Sequence, residues 1–296
     1  MDKKLLFVIN SHSGKGKIKS KLLDIVDIFV KDGWQVTVHT TQDKKDAYNL
    51  VKCSGQDYKM VVASGGDGTL NEVIRGVMSL ADENRPDIGY IPAGTVNDFA
   101  SNMNISKNMV KAAENIVKGK PFLCDVGRFN KKNFVYVAAF GAFTNVSYET
   151  PQQNKNALGQ LAYFLEGIKQ LHALPSYNMR IRCDCETLED EFMLGMVANS
   201  NHIAGFKTTK AFQAELNDGL FEVVLVKKPK TLLELHDLGS RLLTQDLNSE
   251  LVKLFRTSKV KFECEQPVSW TLDGEFGGAV TAADIRVARE AVKLIV

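Results

Sequence analysis

The glycine-rich stretch at residues 64–68 is the feature that most restricts how this chain can fold. It follows a β-branched apolar run at residues 59–63 and leads directly into a helical pattern that starts near Thr69. Glycines at a strand-to-helix junction permit a tight turn and a close approach of a ligand to the backbone, because no Cβ intervenes. The N–H groups at the start of the helix attract a phosphate. The stretch therefore predicts a phosphate-binding junction, with a purely structural turn as the alternative.

The first 121 residues alternate apolar runs with helical patterns. They predict strands at residues 5–9, 34–38, 59–63 and 87–91, and helices at residues 18–29, 43–52 and 69–80. Strands that alternate with helices form right-handed units, in which a parallel sheet is covered on both faces. We therefore predict a nucleotide-type α/β domain over residues 1–121.

The rest of the chain, residues 122–296, is β-rich. The pattern predicts strands at residues 122–129, 133–140, 179–186, 192–198, 221–226, 260–265 and 292–296, turns at residues 130–132 and 188–190, and helices at residues 157–174 and 231–245. The last strand is a candidate to return to the first domain. We expect the functional site in the cleft between the two domains.

Composition excludes several classes of protein. The 37 basic and 35 acidic side chains give a net charge of +2, so no global field favours nucleic acid. The longest apolar run, at residues 134–143, is about half of the ~20 residues that span a bilayer. Five cysteines without a CxxC pair favour free thiols in a reducing compartment. We expect a soluble, cytoplasmic protein without a transmembrane segment, whose membrane contact is peripheral and transient.

Two further loops repeat the glycine-rich pattern. Residues 92–100 follow a predicted strand with a glycine, a hydroxyl, an amide and a carboxylate. Residues 10–17 follow the first strand but lack Walker A spacing, and His12 receives no proton-transfer role. Such loops lie at the carboxyl edge of an open parallel sheet, where ligands bind. In the loop at residues 64–68, the carboxylate of Asp67 would repel a bare phosphate, so we expect Asp67 to act through Mg²⁺.

Together these motifs resemble the diacylglycerol kinase catalytic-domain family, in particular the soluble bacterial lipid kinases related to sphingosine and ceramide kinases. The most specific matches are Gly-Gly-Asp-Gly-Thr-Leu-Asn-Glu at residues 65–72 and Gly-Thr-Val-Asn-Asp-Phe-Ala at residues 94–100. Weaker matches lie at residues 158–163, 217–220 and 272–275, of which the last two would be ordinary turns in isolation. The resemblance runs from Asn10 to about Glu275 and implies a Rossmann-like N-terminal domain, a C-terminal β-sandwich and ATP in the cleft.

The resemblance also implies roles for individual residues. The nucleotide contacts would come from Asn10, Ser11, His12, Ser13, Gly14, Thr41, Gly65, Gly66, Asp67, Gly68, Thr69, Leu70, Asn71 and Thr95, with Glu275 as a further nucleotide or Mg²⁺ contact. Asp273 matches the family's proton acceptor. Asp218, with backbone carbonyls near Glu215 and Leu220, matches a structural Mg²⁺ site that tethers the second domain. ATP and Mg²⁺ are the implied cofactors, and diacylglycerol is the implied lipid acceptor.

The chain departs from the family at Ser11, where Pro is frequent, at Ser101, where Arg is usual, and at residues 204–213, which lack a glycine cluster and a proline. These departures leave the identity of the acceptor open. The candidate basic residues at the rim of a lipid cleft are Lys207, Lys210, Lys227, Lys228 and Lys230.

Two other functions remain as alternatives: an NAD kinase-like enzyme, which shares the loop at residues 65–69, and a nucleotide-binding regulator without catalysis. Residues 71–72 and 97–100 favour the lipid kinase over the first. The acids Asp67, Asp98, Asp273 and Glu275 disfavour the second, because a regulator has no evident need for them. The sequence leaves open whether the chain forms a homodimer.

Overall fold

The computed structural model describes residues 3–95, 97–141, 174–184, 186–199, 202–203, 206–207, 216–244 and 246–296. The chain divides into two compact units. Unit 1 comprises residues 1–124 and 290–296, and unit 2 comprises residues 125–289. The α/β character of the first and the β-rich character of the second confirm the predicted fold class.

Unit 1 is built on a parallel sheet. Its strands are β1 (Lys4–Ile9), β2 (Gln35–Thr40), β3 (Met60–Gly65) and β4 (Asp87–Pro92), and its helices are α1 (Leu22–Lys31), α2 (Asp46–Ser54), α3 (Asp67–Val77), α4 (Asp98–Asn102) and α5 (Met109–Lys118). Short 3₁₀ segments lie at Ser13–Ser20, Gly55–Asp57 and Asp82–Asn84. The strand order is β2-β1-β3-β4, and all of these pairs are parallel. Near the end of the chain, Leu294 pairs in parallel with Ile88 of β4.

The sheet of unit 1 is covered by helices because its central strands are apolar on both faces. Every residue of β1 after Lys4 is buried, as is every residue of β3. Phe29 of α1 packs edge-on against Phe7 of β1, with ring centroids 6.0 Å apart. Helix α5 begins at Asn108, whose side chain accepts hydrogen bonds from two backbone N–H groups of the first turn.

Unit 2 is dominated by antiparallel strands. They are β5 (Pro121–Phe129), β6 (Lys132–Phe134), β7 (Val137–Gly141), β8 (Tyr177–Cys183), β9 (Thr187–Ala198), β10 (His202–Ile203), β11 (Phe206–Lys207), β12 (Phe221–Lys227), β13 (Val252–Thr257), β14 (Lys259–Leu272) and β15 (Glu275–Ile295), with one helix, α6 (Leu232–Leu243), among the described residues. The strand order β13-β12-β9-β7-β14-β15 is antiparallel throughout, and β8 pairs with both β9 and β14. The first residues of β5 and the last of β15 belong to unit 1.

An aromatic cluster fills the core of unit 2. The indole ring of Trp270 lies 5.1 Å from the ring of Phe129, 4.9 Å from Phe140 and 5.0 Å from Phe262, measured between centroids. Tilted and edge-on pairs at such distances add about 0.5–1.5 kcal/mol each beyond burial. The cluster therefore fixes the position of β14, whose end carries the turn at residues 273–274.

The structure corrects several predicted boundaries. The turn predicted at residues 188–190 is wrong, because these residues lie inside β9. Their acids fit a strand since Glu189 pairs with Arg180 at 2.5 Å and Asp190 with Lys227 at 2.6 Å. Helix α5 and strand β13 had no predicted counterpart, and residues 133–140 form parts of two strands. The predicted helix at residues 157–174 lies outside the described ranges, except for its last residue.

Within the part of the chain that the structure describes, no helix combines the length and the apolar character needed to cross a membrane.

Asp184 joins the turn after β8 to the turn between β13 and β14. Its carboxylate accepts hydrogen bonds from the Thr257 hydroxyl at 2.8 Å and from the Ser258 N–H and hydroxyl at 3.0 and 2.9 Å. These bonds, that of Thr257 first, lower the pKa of Asp184 to about 2. Because the folded-state pKa lies below the ordinary value of about 3.9, the stabilisation is complete above that value and is lost as the pH falls towards 2.

We therefore predict that Asp184→Asn lowers the free energy of unfolding at pH 7 and that the difference from the wild type shrinks as the pH falls from about 4 to 2. Urea unfolding followed by circular dichroism across that pH range measures both. Glu186→Gln, which removes an exposed acid two residues away, is the control and should leave stability unchanged. An equal loss at every pH would contradict the prediction.

Candidate functional site

Three loops meet at one edge of the unit 1 sheet. They follow β1, β3 and β4, which are neighbours in the sheet, and the register places Ile9 opposite Ser64 and Gly65 opposite Pro92. The loops therefore start at the same level, as expected for the carboxyl ends of parallel strands. They contain the three glycine-rich motifs of the sequence.

Three glycines allow these loops to touch, and we name Gly14, Gly66 and Gly94 the glycine cradle. A Cβ added at Gly14, whose φ is +56°, would overlap the carbonyl oxygen of Ala93. A Cβ at Gly94 would lie 2.6 Å from Cα of Gly66 and 2.7 Å from Oδ1 of Asn97. Real Cβ atoms do not approach other atoms so closely, so only glycine fits at these two positions.

Polar side chains lock the loops together. The phenol of Tyr90, which is 1% exposed, lies 3.2 Å from the carbonyl oxygen of Gly65 and 3.3 Å from Oδ1 of Asn97. That same Oδ1 accepts the N–H of Gly94 at 2.9 Å, and Nδ2 of Asn97 donates to the Gly94 carbonyl at 2.8 Å. The left-handed backbone of Asn97, at φ +55°, suits asparagine better than most residues.

Other predicted site residues are also brought together here. Nδ2 of Asn10 lies 3.3 Å from the Thr69 hydroxyl, and the Asn10 N–H donates to the Ser64 carbonyl at 2.8 Å. Oδ1 of Asp67 accepts the N–H of Phe99 at 3.2 Å. The carboxylate of Asp67 thus sits between the second and third loops, at the first residue of α3.

The remaining predicted nucleotide residues differ in exposure. Ser11 and Ser13 are half-buried, His12, Gly68 and Thr95 are exposed, Leu70 is fully buried, and Thr41 and Asn71 are largely buried. The buried side chain of Leu70 belongs to the hydrophobic core, so any ligand contact of this residue would involve its backbone.

Open space adjoins the glycine cradle at Gly68. Gly68 belongs to the first turn of α3, and apart from its chain neighbours and the backbone of that helix, no atom of the described residues lies within 4 Å of a Cβ built there. A helix start with open space and neighbouring hydroxyls fits a phosphate, and the adjacent Asp67 supplies the oxygen donor that Mg²⁺ prefers. The residues present therefore fit a nucleotide phosphate with its metal ion.

In unit 2, Asp273 forms the turn between β14 and β15. Asp273 and Gly274 have φ values of +52° and +83°, the pattern of a two-residue hairpin turn. The carboxylate points back into the unit and accepts the N–H groups of Val135 at 2.8 Å, Tyr136 at 2.8 Å and Val137 at 3.0 Å. Hydrogen bonds of this kind favour the charged form. Glu275 follows the turn, is exposed and pairs with Leu272 across the hairpin.

The segment around Asp218 is held by charged groups. Oδ2 of Asp125, a fully buried residue of β5, accepts the N–H of Gly219 at 2.7 Å. Arg256 contacts the carboxylate of Asp218 and lies 3.2 Å from Oε1 of Glu222. Burial raises the pKa of Glu222 to about 7 and outweighs the attraction of Arg256. Oε2 of Glu222 has no hydrogen-bond partner among the described atoms, which accords with a partly protonated acid.

The implied structural Mg²⁺ site does not fit this geometry. Asp218 already contacts a guanidinium, and Glu215 lies outside the described residues. In the ranges that the structure covers, no group of three or more histidine, cysteine, aspartate or glutamate side chains is arranged to hold a metal ion.

Sequence reasoning missed two residues that shape these sites. Tyr90 joins two loops, and Asp125 anchors the segment at residues 216–219. Asp125, the one acid in strand β5, was a usable signal, because buried acids require partners. Tyr90 gave no such signal, since tyrosine is ordinary in a buried strand.

We predict that Gly94→Ala lowers the free energy of unfolding by about 1–3 kcal/mol, because the new Cβ would overlap the backbone of Gly66. Gly68→Ala is the matched variant. It should keep the wild-type stability or gain about 0.5–1 kcal/mol, since alanine suits a helix better than glycine. Urea denaturation of both variants measures the difference, and an equal loss in both would refute the close contact.

Comparisons with known proteins agree with the two-unit architecture. Residues 4–129 match the family model described as "Diacylglycerol kinase catalytic domain", and residues 137–296 match the "YegS C-terminal NAD kinase beta sandwich-like domain". The diacylglycerol kinase of Bacillus subtilis (strain 168) is 31% identical over 97% of this chain and 94% of its own length. That of Staphylococcus saprophyticus is 33% identical over 94% of this chain and 90% of its own length.

A solved structure shows the same fold. The crystal structure of a diacylglycerol kinase from Bacillus anthracis str. Sterne superposes with a TM-score of 0.73 at 22% identity, over 99% of this chain and 96% of that one. With both family models matched and relatives above 30% identity along nearly the whole chain, the protein belongs to the diacylglycerol kinase family and is a kinase.

Proposed function

We propose that this protein is an ATP- and Mg²⁺-dependent lipid kinase that transfers the γ-phosphate to a hydroxyl of diacylglycerol and forms phosphatidic acid. The observation that carries the proposal is the glycine cradle, in which three loops meet around Asp67 and the open start of α3. The names of the relatives support the acceptor, because both curated relatives are diacylglycerol kinases.

The unit 1 site supplies positioning and charge rather than covalent chemistry, which is what phosphoryl transfer requires. The exposed backbone at Gly68 lets a phosphate approach the start of α3, and Asn10 and Thr69 present polar groups beside it. Asp67, held by the Phe99 N–H, keeps a carboxylate oriented for the metal ion. Mg²⁺, when bound, would neutralise the charge of the phosphates.

Asp273 is the residue that we assign to the acceptor side. Three backbone N–H groups hold its carboxylate in one orientation, and a carboxylate can act as a proton acceptor. In this role Asp273 takes the proton of the lipid hydroxyl as that oxygen bonds to the γ-phosphorus, while the bond between the γ-phosphorus and the bridging oxygen breaks and ADP leaves. Glu275, two residues later, is proposed as a further nucleotide or Mg²⁺ contact.

The lipid acceptor requires contact with a membrane surface. Lys227 and Lys228 are poor candidates for this contact, because Asp190 and Glu191 pair with them at 2.6 and 3.0 Å. The exposed start of α6 is better suited, since Leu232 and Leu233 are 59% and 84% exposed and follow the exposed Lys230. An apolar pair beside a cation fits the interface of an anionic bilayer.

The reaction is tested with labelled Mg²⁺·ATP and mixed micelles that contain diacylglycerol, ceramide, sphingosine or phosphatidylglycerol, with NAD⁺ in a parallel reaction. We expect label in diacylglycerol and a decrease in turnover of about 10²–10⁴-fold in Asp273→Asn, the range for loss of a general base. Label in NAD⁺ alone would favour an NAD kinase-like enzyme. Nucleotide binding without any transfer would favour the regulator.

Asp273→Asn also needs a structural control, because an amide nitrogen would face a backbone N–H that the carboxylate now accepts. Thermal unfolding and nucleotide affinity are therefore measured on the same preparation. Acceptor analogues with a more acidic hydroxyl should restore part of the lost rate if proton removal is the missing step. Turnover within tenfold of the wild type would remove the proton-acceptor role.

For Asp67, we predict that Asp67→Asn raises the Mg²⁺ concentration needed for half-maximal activity by about 10–100-fold, the usual effect of losing a group that supports a metal ion. Asparagine keeps an oxygen for the Phe99 N–H, so the fold should be retained. Asp57→Asn, which alters an exposed acid, is the control. A variant that differs from the wild type only in lipid affinity would contradict this assignment.

A further inference from the structure

The segment at residues 216–222 is held to the rest of unit 2 by a cationic side chain of the protein itself, that of Arg256. Oδ1 of Asp218 accepts the N–H of Leu220 at 2.9 Å, within the turn itself. The other carboxylate oxygen, Oδ2, contacts Nη2 of Arg256, and Nε of Arg256 lies 3.2 Å from Oε1 of Glu222. One guanidinium therefore bridges Asp218, inside the segment, and Glu222, at its end.

Strand pairing fixes this guanidinium in place. Arg256 lies on β13 directly opposite Glu222 on β12. Both side chains are at least two-thirds buried, with exposures of 30% for Arg256 and 2% for Glu222. The arginine is thus positioned by the sheet, and the turn at residues 216–219 lies against it.

A second arginine approaches the same turn. A Cβ built at Gly219, whose φ is +76°, would lie 2.7 Å from Nε of Arg289. The backbone N–H of Gly219 donates to the buried carboxylate of Asp125 at 2.7 Å. Two permanent positive charges therefore flank the turn that carries Asp218.

These positions disfavour a divalent cation. Mg²⁺ requires nearly octahedral oxygen coordination at short distances and loses its water reluctantly. At Oδ2 of Asp218 it would compete with a guanidinium that already contacts this oxygen. Arginine is always charged, and its planar fork can hold two carboxylates at once.

We propose that Arg256 serves in this chain as the structural cation of the segment at residues 216–222, so that the segment needs no Mg²⁺. The protein then lacks the structural Mg²⁺ that the family resemblance implies at Asp218, because the guanidinium of Arg256 takes its place. The proposal concerns stability alone and does not depend on the lipid substrate.

The test is the unfolding temperature of the full chain without nucleotide or lipid, measured in EDTA and in millimolar Mg²⁺ at equal ionic strength. The wild type should unfold at the same temperature in both solutions. Arg256→Gln should unfold at a temperature lower by about 3 °C or more, because two acids lose their shared cation. Arg182→Gln, which removes an exposed arginine paired with Glu263, should match the wild type.

A rise in the wild-type unfolding temperature with Mg²⁺ that Asp218→Asn abolishes would overturn the proposal. So would an Arg256→Gln variant as stable as the wild type. If Arg256→Gln does not fold, the comparison of the wild-type unfolding temperatures in EDTA and in Mg²⁺ still tests the proposal. Repeating that comparison in the Asp67→Asn background removes any response from the nucleotide site, so the outcome is independent of the proposed reaction.

Discussion

The contact between the backbones of Gly66 and Gly94 is the constraint on which the unit 1 site depends. It exists because β3 and β4 are adjacent and in a register that places Gly65 opposite Pro92, so that both loops leave the sheet at the same level. Because Gly94 has no Cβ, its loop can lie against Cα of Gly66, and the carboxylate of Asp67 reaches the Phe99 N–H. Within the third loop, Asn97 bonds Gly94. The orientation of Asp67 thus depends on the placement of the glycines, and this placement depends on the register of the sheet.

In unit 2, the carboxylate of Asp273 is positioned in a different way. Asp273 stands in a left-handed turn and bonds three consecutive N–H groups more than 130 residues earlier in the chain. The aromatic cluster around Trp270 holds the strand that leads into this turn. The carboxylate of Asp273 is thus oriented by backbone N–H groups from a distant part of the chain.

The sequence predicted what local pattern can specify and missed what depends on register. Alternating apolar runs identified β1, β3 and β4, and glycine spacing identified the loops that follow them. Strand β15 was predicted only at its end, because exposed residues interrupt its buried positions over most of its 21 residues. The N–H partners of Asp273 and the pairing of Arg256 with Glu222 follow from strand pairs distant in sequence, which no local pattern reveals.

The charged residues near Asp218 illustrate why register matters for chemistry as well as for folding. A buried glutamate is costly, and here burial raises its pKa to about 7 even beside an arginine. Arg256 offsets part of this cost, whereas the neighbouring charge of Asp218, which contacts the same arginine, adds to it. A metal ion would have to be captured from solution, whereas Arg256 belongs to β13 and lies opposite Glu222 in the sheet. Where a strand can supply the cation, a segment of this kind becomes independent of the metal concentration around it.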